Sequence, residues 1–286
     1  MPVICDKTPV KYMQKMHDVM PACAAPVQPG RRRRLLLAAW ALPWAAPWWA
    51  HGQTQPKIKI AAASSLKFVL ADLASQYRQQ IGVQVEVNLG ASGNLARQIV
   101  QGLPVEQFIS ADEVRVAELA QAGRTLDAGQ RYATGRLALV VPAHSTLPLA
   151  QGLVAVVWAL KPGDKFAIAN PALAPYGLAA EEALLRSGVG PLPAGQKVLG
   201  DNIGQATQFV ATGAAQAGIT ALALTTVPDM ARSLRALPLP ESLHTPLHQR
   251  MVLLKGASAA AVAWHRFLLS PQAQAVWVRH GYVLPQ

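Results

Sequence analysis

Hydroxyls, small residues and amide-rich turns collect at four places in this 286-residue chain where a strand-like run gives way to a helix-like one. The first is Ala61-Ala62-Ala63-Ser64-Ser65-Leu66. Its alanines let the backbone approach a bound group, and Ser64 or Ser65 can cap the following helix while presenting a hydroxyl. In the second, Gly90-Ala91-Ser92-Gly93-Asn94, glycines flank a serine and backbone amides face outward. The third joins Asn170-Pro171 to Ala174-Pro175-Tyr176-Gly177, where Tyr176 either donates its hydroxyl or only shapes a wall. The fourth is Asp201-Asn202-Ile203-Gly204-Gln205, with Asn202 as a cap and the Ile203 amide at the first turn. Helix starts carry unpaired N–H groups and partial positive charge, so their common chemistry is to hold an anion. Any one junction alone reads more readily as an ordinary cap, and two in the same half of the chain shift that balance toward a site.

Nothing in the chain asks for turnover. The histidines after residue 50 are His51, His144, His244, His248, His265 and His280, and they show neither HExxH nor close Cys/His ligand spacing. His244 and His248 are four apart but lie in a Pro-containing stretch. Gly-x-Ser-x-Gly and Walker A patterns are absent, and Gly90-Ala91-Ser92-Gly93 lacks the lysine of a nucleotide loop. The expectation is a binding protein with no catalytic residue, no cofactor and no resident metal.

The elements that must position these junctions follow from periodicity. Lys57 to Ala63 reads as a strand, and Leu66, Val69, Leu70, Leu73 and Tyr77 share one face of a helix over 66–79 that Gly82 ends. Val83, Val85 and Val87 alternate with polar residues as a second strand. A short helix over 94–101, a strand over 108–111 and a helix over 113–121 follow. After an apolar strand at 136–141 the alternation resumes, with strands at 166–169, 197–199 and 217–220 and helices at 178–186 and 203–211. The chain finishes with a strand at 251–254 and helices at 259–269 and 271–280. Pro228, Pro238, Pro240 and Pro246 make the stretch before Met251 a poor place for long elements. Strand-helix alternation predicts a parallel, right-handed α/β fold. The closing helices suggest that residues 246–286 rejoin 53–137 as a first lobe, with 138–245 inserted as a second.

The net charge is +11, from 26 basic and 15 acidic side chains. Residues 1–50 hold seven of the basic ones against Asp6 and Asp18, leaving 19 against 13 scattered singly over the rest. A basic stripe with interleaved aromatics is therefore absent, and no nucleic-acid partner is expected. Arg31 to Arg34 run into Leu35-Leu36-Leu37 and an apolar stretch reaching Ala50, broken by Pro43 and Pro47. A basic cluster, a short apolar run and a small-residue end make a secretory signal within residues 1–52, too short to span a membrane. The paired arginines leave general and twin-arginine export open, and Met13, Met16 and Met20 are alternative starts. Cys5 and Cys23 both precede the apolar run, so a cleaved chain would carry no thiol or disulfide.

Seven segments in order carry a resemblance over about residues 57 to 283: AAASSLK from Ala61, GASGNLARQIVQG from Gly90, FISAD from Phe108, RLALVVP from Arg136, ANPALAPYG from Ala169, GDNIGQATQFVATG from Gly200 and AGIT from Ala217. The chain resembles the periplasmic molybdate-binding proteins of ABC uptake systems. That resemblance implies a two-lobed type II periplasmic binding protein with a ligand cleft between lobes, and a molybdate or tungstate ion held by neutral groups. It places the hydroxyl and amide of Ser64 and Ser92, and the amides of Tyr176 and Ile203, on the oxyanion's oxygens rather than on the metal. Ser65 and Asn202 are additional candidates. Some members add a tyrosine hydroxyl where this chain has Ala221, and Tyr176 is the candidate replacement. Val105-Glu106-Gln107 also departs from the family's usual Ala-Asp before the FISAD segment. The implied partner is a membrane permease of an ABC transporter, met in the periplasm by a monomer. Alternatives are a receptor for sulfate or another tetrahedral oxyanion, and a cytoplasmic anion-sensing regulatory domain. The latter is opposed by the export signal and by the lack of an upstream helix-turn-helix.

Overall fold

A computed structural model describes residues 57–193 and 195–285. The export signal, the alternative starts, both cysteines and the linker through Pro56 lie outside the described residues. In chain order the elements are β1 (Lys57–Ala63), a 3-10 turn (Ser64–Leu66), α1 (Lys67–Ile81), β2 (Gln84–Gly90), α2 (Ser92–Val100), β3 (Gln107–Ile109), α3 (Val114–Gln121) and β4 (Gln130–Gly135). Then come β5 (Leu137–Pro142), α4 (Leu153–Trp158), β6 (Phe166–Ala169), α5 (Pro175–Arg186), β7 (Lys197–Gly200), α6 (Ile203–Ala211) and β8 (Ala217–Ala221). The chain closes with α7 (Pro228–Ser233), β9 (Leu234–Pro238), β10 (Leu247–Leu253), α8 (Ala259–Leu268) and α9 (Pro271–Arg279).

Two five-stranded sheets result, ordered β2-β1-β3-β10-β4 and β7-β6-β8-β5-β9. The all-parallel expectation is corrected here, because both sheets are mixed. β1 pairs in parallel with β2 and β3, but β10 runs antiparallel to β3 and β4. In the second sheet β6 is parallel to β7 and β8, whereas β5 is antiparallel to β8 and β9. Arg136 alone separates β4 of the first sheet from β5 of the second. Each sheet with its helices forms one lobe of an α/β fold.

The local causes are plain. α1 buries Val69, Leu70, Leu73 and Tyr77 at helical spacing and stops at Gly82, whose φ of 78° gives a left-handed cap. Ser258 and Ser270 cap α8 and α9 by accepting from the amides of Ala261 and Ala273, and Pro271 takes the first helical position of α9. β9 is an edge strand, so Pro238 at its end costs no ladder bond. Behind β4 and β10, the Trp277 ring lies 4.9 Å from that of Tyr132 and 5.5 Å from that of Tyr282. That aromatic packing holds the Tyr132 and Tyr282 rings in place, each pair worth about 0.5–1.5 kcal/mol beyond burial. Among the described residues no helix is long and apolar enough to cross a membrane.

Candidate functional site

Two helices begin earlier than periodicity indicated, and both shifts move a candidate residue into a first turn. α2 starts at Ser92, with Ala91 as its N-cap, and α5 starts at Pro175, so Tyr176 is its second residue. Pro at the first position is pre-shaped for a helix and lacks an amide that would go unpaired there. Gly177 follows because a Cβ at that point would strike the carbonyl of Ala169, the last residue of β6. α6 starts at Ile203, and Asn202 caps it by accepting from the Gln205 amide at 3.1 Å. Helix geometry gives the amides of Ser92, Tyr176 and Ile203 no intrahelical acceptor.

The hydroxyls have a consistent polarity. Ser64 Oγ accepts from the Gly204 amide at 3.2 Å, a bond from the first turn of α6 to the end of β1. Ser92 Oγ accepts from the Ala111 amide at 3.0 Å, beyond the end of β3. Tyr176 Oη accepts from Gln249 Nε2 at 2.9 Å. Each oxygen thus accepts one protein N–H, and each keeps its own proton to donate elsewhere. The capping role considered for Ser64 and Ser65 is corrected: neither the 3-10 turn nor α1 has a side-chain cap, and the Ser64 oxygen is engaged by the opposite lobe. One outward amide of the Gly90 to Asn94 turn is spent as well, since Gly93 N–H donates to the Leu173 carbonyl at 3.0 Å.

Ser65 Oγ lies beside the hydroxyls of Tyr176 and Tyr282, yet it is buried with no well-aligned hydrogen-bond partner. Tyr282 donates to the Ser65 carbonyl at 3.1 Å. Burial holds the phenols of Tyr176, Tyr132 and Tyr282 well above the ordinary tyrosine value of 10.0. They are neutral donors at any physiological pH. Ala221 ends β8, fully buried, and supplies no side-chain donor. Tyr176, by contrast, carries its hydroxyl into the Ser65 neighbourhood. A cavity of about 230 Å³ opens beside Ser64, lined also by Lys67, Phe68, Asn202 and Gly204. The Lys67 ammonium stands 5.2 Å over the Phe68 ring, a cation near the cluster without being bonded to it.

The sequence model described as bacterial extracellular solute-binding protein matches residues 58–283. The chain belongs to that family. This solute-binding protein is a transport component and not an enzyme. Over 246 residues it is 34% identical to a molybdate-binding protein of Azotobacter vinelandii, covering 80% of this chain and 90% of that one. It is 32% identical over 239 residues to a molybdate-binding protein of Rhodobacter capsulatus, covering 78% and 86%. Among solved structures, the Azotobacter vinelandii periplasmic molybdate-binding protein superposes with a TM-score of 0.72 at 32% identity, covering 80% of this chain and all of that one.

Several participants escaped the motif reading. Gly204 and Ala111 act through backbone amides, and Tyr132, Gln249 and Tyr282 form a buried polar chain behind Tyr176. Tyr132 Oη donates to Gln249 Oε1 at 2.7 Å and lies 3.1 Å from the Ser110 carbonyl. The available signal was alternation along β10, where Leu247, Gln249 and Met251 are all buried. A glutamine on the inward face of a strand demands buried partners.

Proposed function

We propose that this solute-binding protein takes up molybdate, and tungstate by the same contacts, in the periplasm, and delivers it as a monomer to the permease of an ABC transporter. The observation that carries this reading is the shared polarity of Ser64, Ser92 and Tyr176. Each accepts a protein N–H and has its own O–H left to give. With the first-turn amides of Ser92, Tyr176 and Ile203, they make a set rich in donors, with no carboxylate or carbonyl among them. A fully deprotonated tetrahedral dianion is what such a set satisfies. Hydrogenphosphate brings a proton for which the set holds no carboxylate or carbonyl, only hydroxyl oxygens already engaged by an N–H or better used as donors. The ligand's oxygens meet these groups, and the metal centre touches no protein atom.

No lysine or arginine is needed. Fixed helix-end dipoles stabilise negative charge without the desolvation cost of a buried cation. Each bond to a charged oxygen contributes about 1.5–3 kcal/mol, so a handful supports tight binding after ordering costs. Ser65, with its buried unpartnered hydroxyl, supplies a further donor, and Tyr176 takes the place of the side-chain donor that Ala221 lacks. Both Azotobacter vinelandii and Rhodobacter capsulatus relatives are named for molybdate, which supports the choice of ligand.

Competition calorimetry with molybdate, tungstate, sulfate and phosphate tests it. Molybdate and tungstate should bind most tightly, sulfate more weakly and phosphate weakest. Ser92→Ala should weaken molybdate binding about tenfold or more, the loss of one charge-assisted bond, with the thermal unfolding midpoint little changed. Preference for phosphate would refute the donor-rich reading, and an unaltered dissociation constant for Ser92→Ala would move the site elsewhere.

A further inference from the structure

Gln249 is fully buried on β10, where the ladder to β4 slips between Gln249 and Arg250: Gln249 faces Ala133, and Arg250 faces Arg131. Tyr132 is the extra residue of that bulge. Bulges re-aim side chains, and here the Tyr132 phenol and the Gln249 amide meet. The amide is then used at both ends, accepting from Tyr132 Oη at 2.7 Å and donating to Tyr176 Oη at 2.9 Å. The direction of this chain matters more than its existence. A primary amide nitrogen is a donor only, so the Tyr176 proton has no acceptor on Gln249 and turns away from it, to the side where the Ser65 and Tyr282 hydroxyls lie. Reversal would require Tyr132 to accept from the amide, leaving its proton only the more distant Ser110 carbonyl at 3.1 Å. Gly135 keeps the space: a Cβ there would overlap the Tyr176 hydroxyl and come within 2.5 Å of Gln249 Nε2.

We propose that Gln249 is a specificity-determining positioning residue. By accepting from Tyr132 and donating to Tyr176, it fixes the Tyr176 hydroxyl as a donor and so selects fully deprotonated oxyanions over protonated ones. This rests on the reading of Tyr176 as a ligand donor. An acceptor at position 249 would draw the Tyr176 proton back and turn an oxygen lone pair toward the ligand. That lone pair repels molybdate and accepts the proton of hydrogenphosphate.

The test is calorimetry at pH 8 with sodium molybdate and with inorganic phosphate on wild type, Gln249→Met, Gln249→Glu, Tyr176→Phe and the Tyr176→Phe/Gln249→Met double variant. Apo melting is measured in parallel to separate folding from binding. Gln249→Met should weaken molybdate binding about tenfold and add nothing once Tyr176 is phenylalanine, an interaction that a merely structural role would not produce. Gln249→Glu should lower the molybdate-to-phosphate preference further than Gln249→Met does. Its molybdate affinity should also recover as pH falls and the introduced carboxyl, protonated, again donates to Tyr176. If Tyr176→Phe weakens molybdate but Gln249→Met does not, or if the two losses add in full, the role of Gln249 is refuted while the Tyr176 contact stands. If Tyr176→Phe leaves molybdate unchanged, the Tyr176 contact itself is refuted and this inference with it. Should Gln249→Glu fold poorly, the Gln249→Met cycle decides alone.

Discussion

The hydroxyl donors are also the groups whose ionisation would ruin an anion site, since a phenolate repels a dianion and has no proton to give. Serine hydroxyls do not titrate in the accessible range, so the question falls on Tyr176 and its neighbours. Burial is the largest cause of the upward displacement in Tyr176, Tyr132 and Tyr282 alike. Removing a phenolate from water costs more than its neighbouring hydrogen bonds return. The neutral donor therefore persists past the ordinary tyrosine value of 10.0. Molybdate affinity should stay level from pH 7 to pH 10.0, measured by calorimetry at constant ionic strength. A dissociation constant that climbs in step with ordinary tyrosine ionisation would mean that the phenol reaching the ligand is solvated rather than buried.

Among the elements, the crossing between sheets carries a tight steric constraint. Gly135 closes β4, and its missing side chain makes room for the Tyr176 hydroxyl and the Gln249 amide. Its backbone is not left-handed, so the need for glycine there is steric. Gly135→Ala should cost about 1–3 kcal/mol by overpacking and weaken molybdate binding. Urea denaturation and calorimetry read the two effects, and wild-type values in both would mean that the crossing strand does not hold Tyr176 in place. Neither Gly135 nor Gln249 was legible beforehand. RLALVV stands out as a strand because it is continuously apolar, whereas Gln130 to Gly135 mixes Arg131 and Thr134 with Tyr132 and Ala133. β10 begins at Leu247 directly after Pro246, and its first half is polar enough to read as loop. The helices were legible where an apolar face repeats, as in α1, and their starts were legible as caps only at Asn202. Strand direction was not, because alternation has the same period in parallel and antiparallel ladders. At the candidate site, serines near helix starts announce themselves. Their partners Gly204 and Ala111, 140 and 19 residues away, are fixed by which strands neighbour one another.

At the scale of the whole molecule, the same contacts that orient the donors also hold the lobes together. Gly93 N–H on α2 reaches the Leu173 carbonyl before α5 at 3.0 Å, Gly204 N–H on α6 reaches Ser64 Oγ at 3.2 Å, and Gln249 Nε2 on β10 reaches Tyr176 Oη on α5 at 2.9 Å. Each such bond is worth a net 0.5–1.5 kcal/mol, roughly, so together they stabilise closure only modestly. Ser92 and Tyr176 are each 1% exposed in this arrangement, so the proposed contacts to them require the lobes to part for a ligand to enter. A dianion bonded by both lobes at once adds several charge-assisted bonds to the closed state alone, which shifts the population toward it. Gly93→Ala separates closure from folding. The new Cβ would sit 2.9 Å from the Leu173 carbonyl oxygen, a backbone atom that cannot swing aside. Yet alanine is a better helix former than glycine, by up to about 1 kcal/mol in a helix interior and less in a first turn. The variant should melt at or above the wild-type temperature without ligand, bind molybdate about tenfold or more weakly, and keep expanded small-angle scattering dimensions at molybdate concentrations that compact the wild type. Equal affinity and equal compaction would mean that the lobes can close on the ligand without bringing α2 against the segment leading into α5.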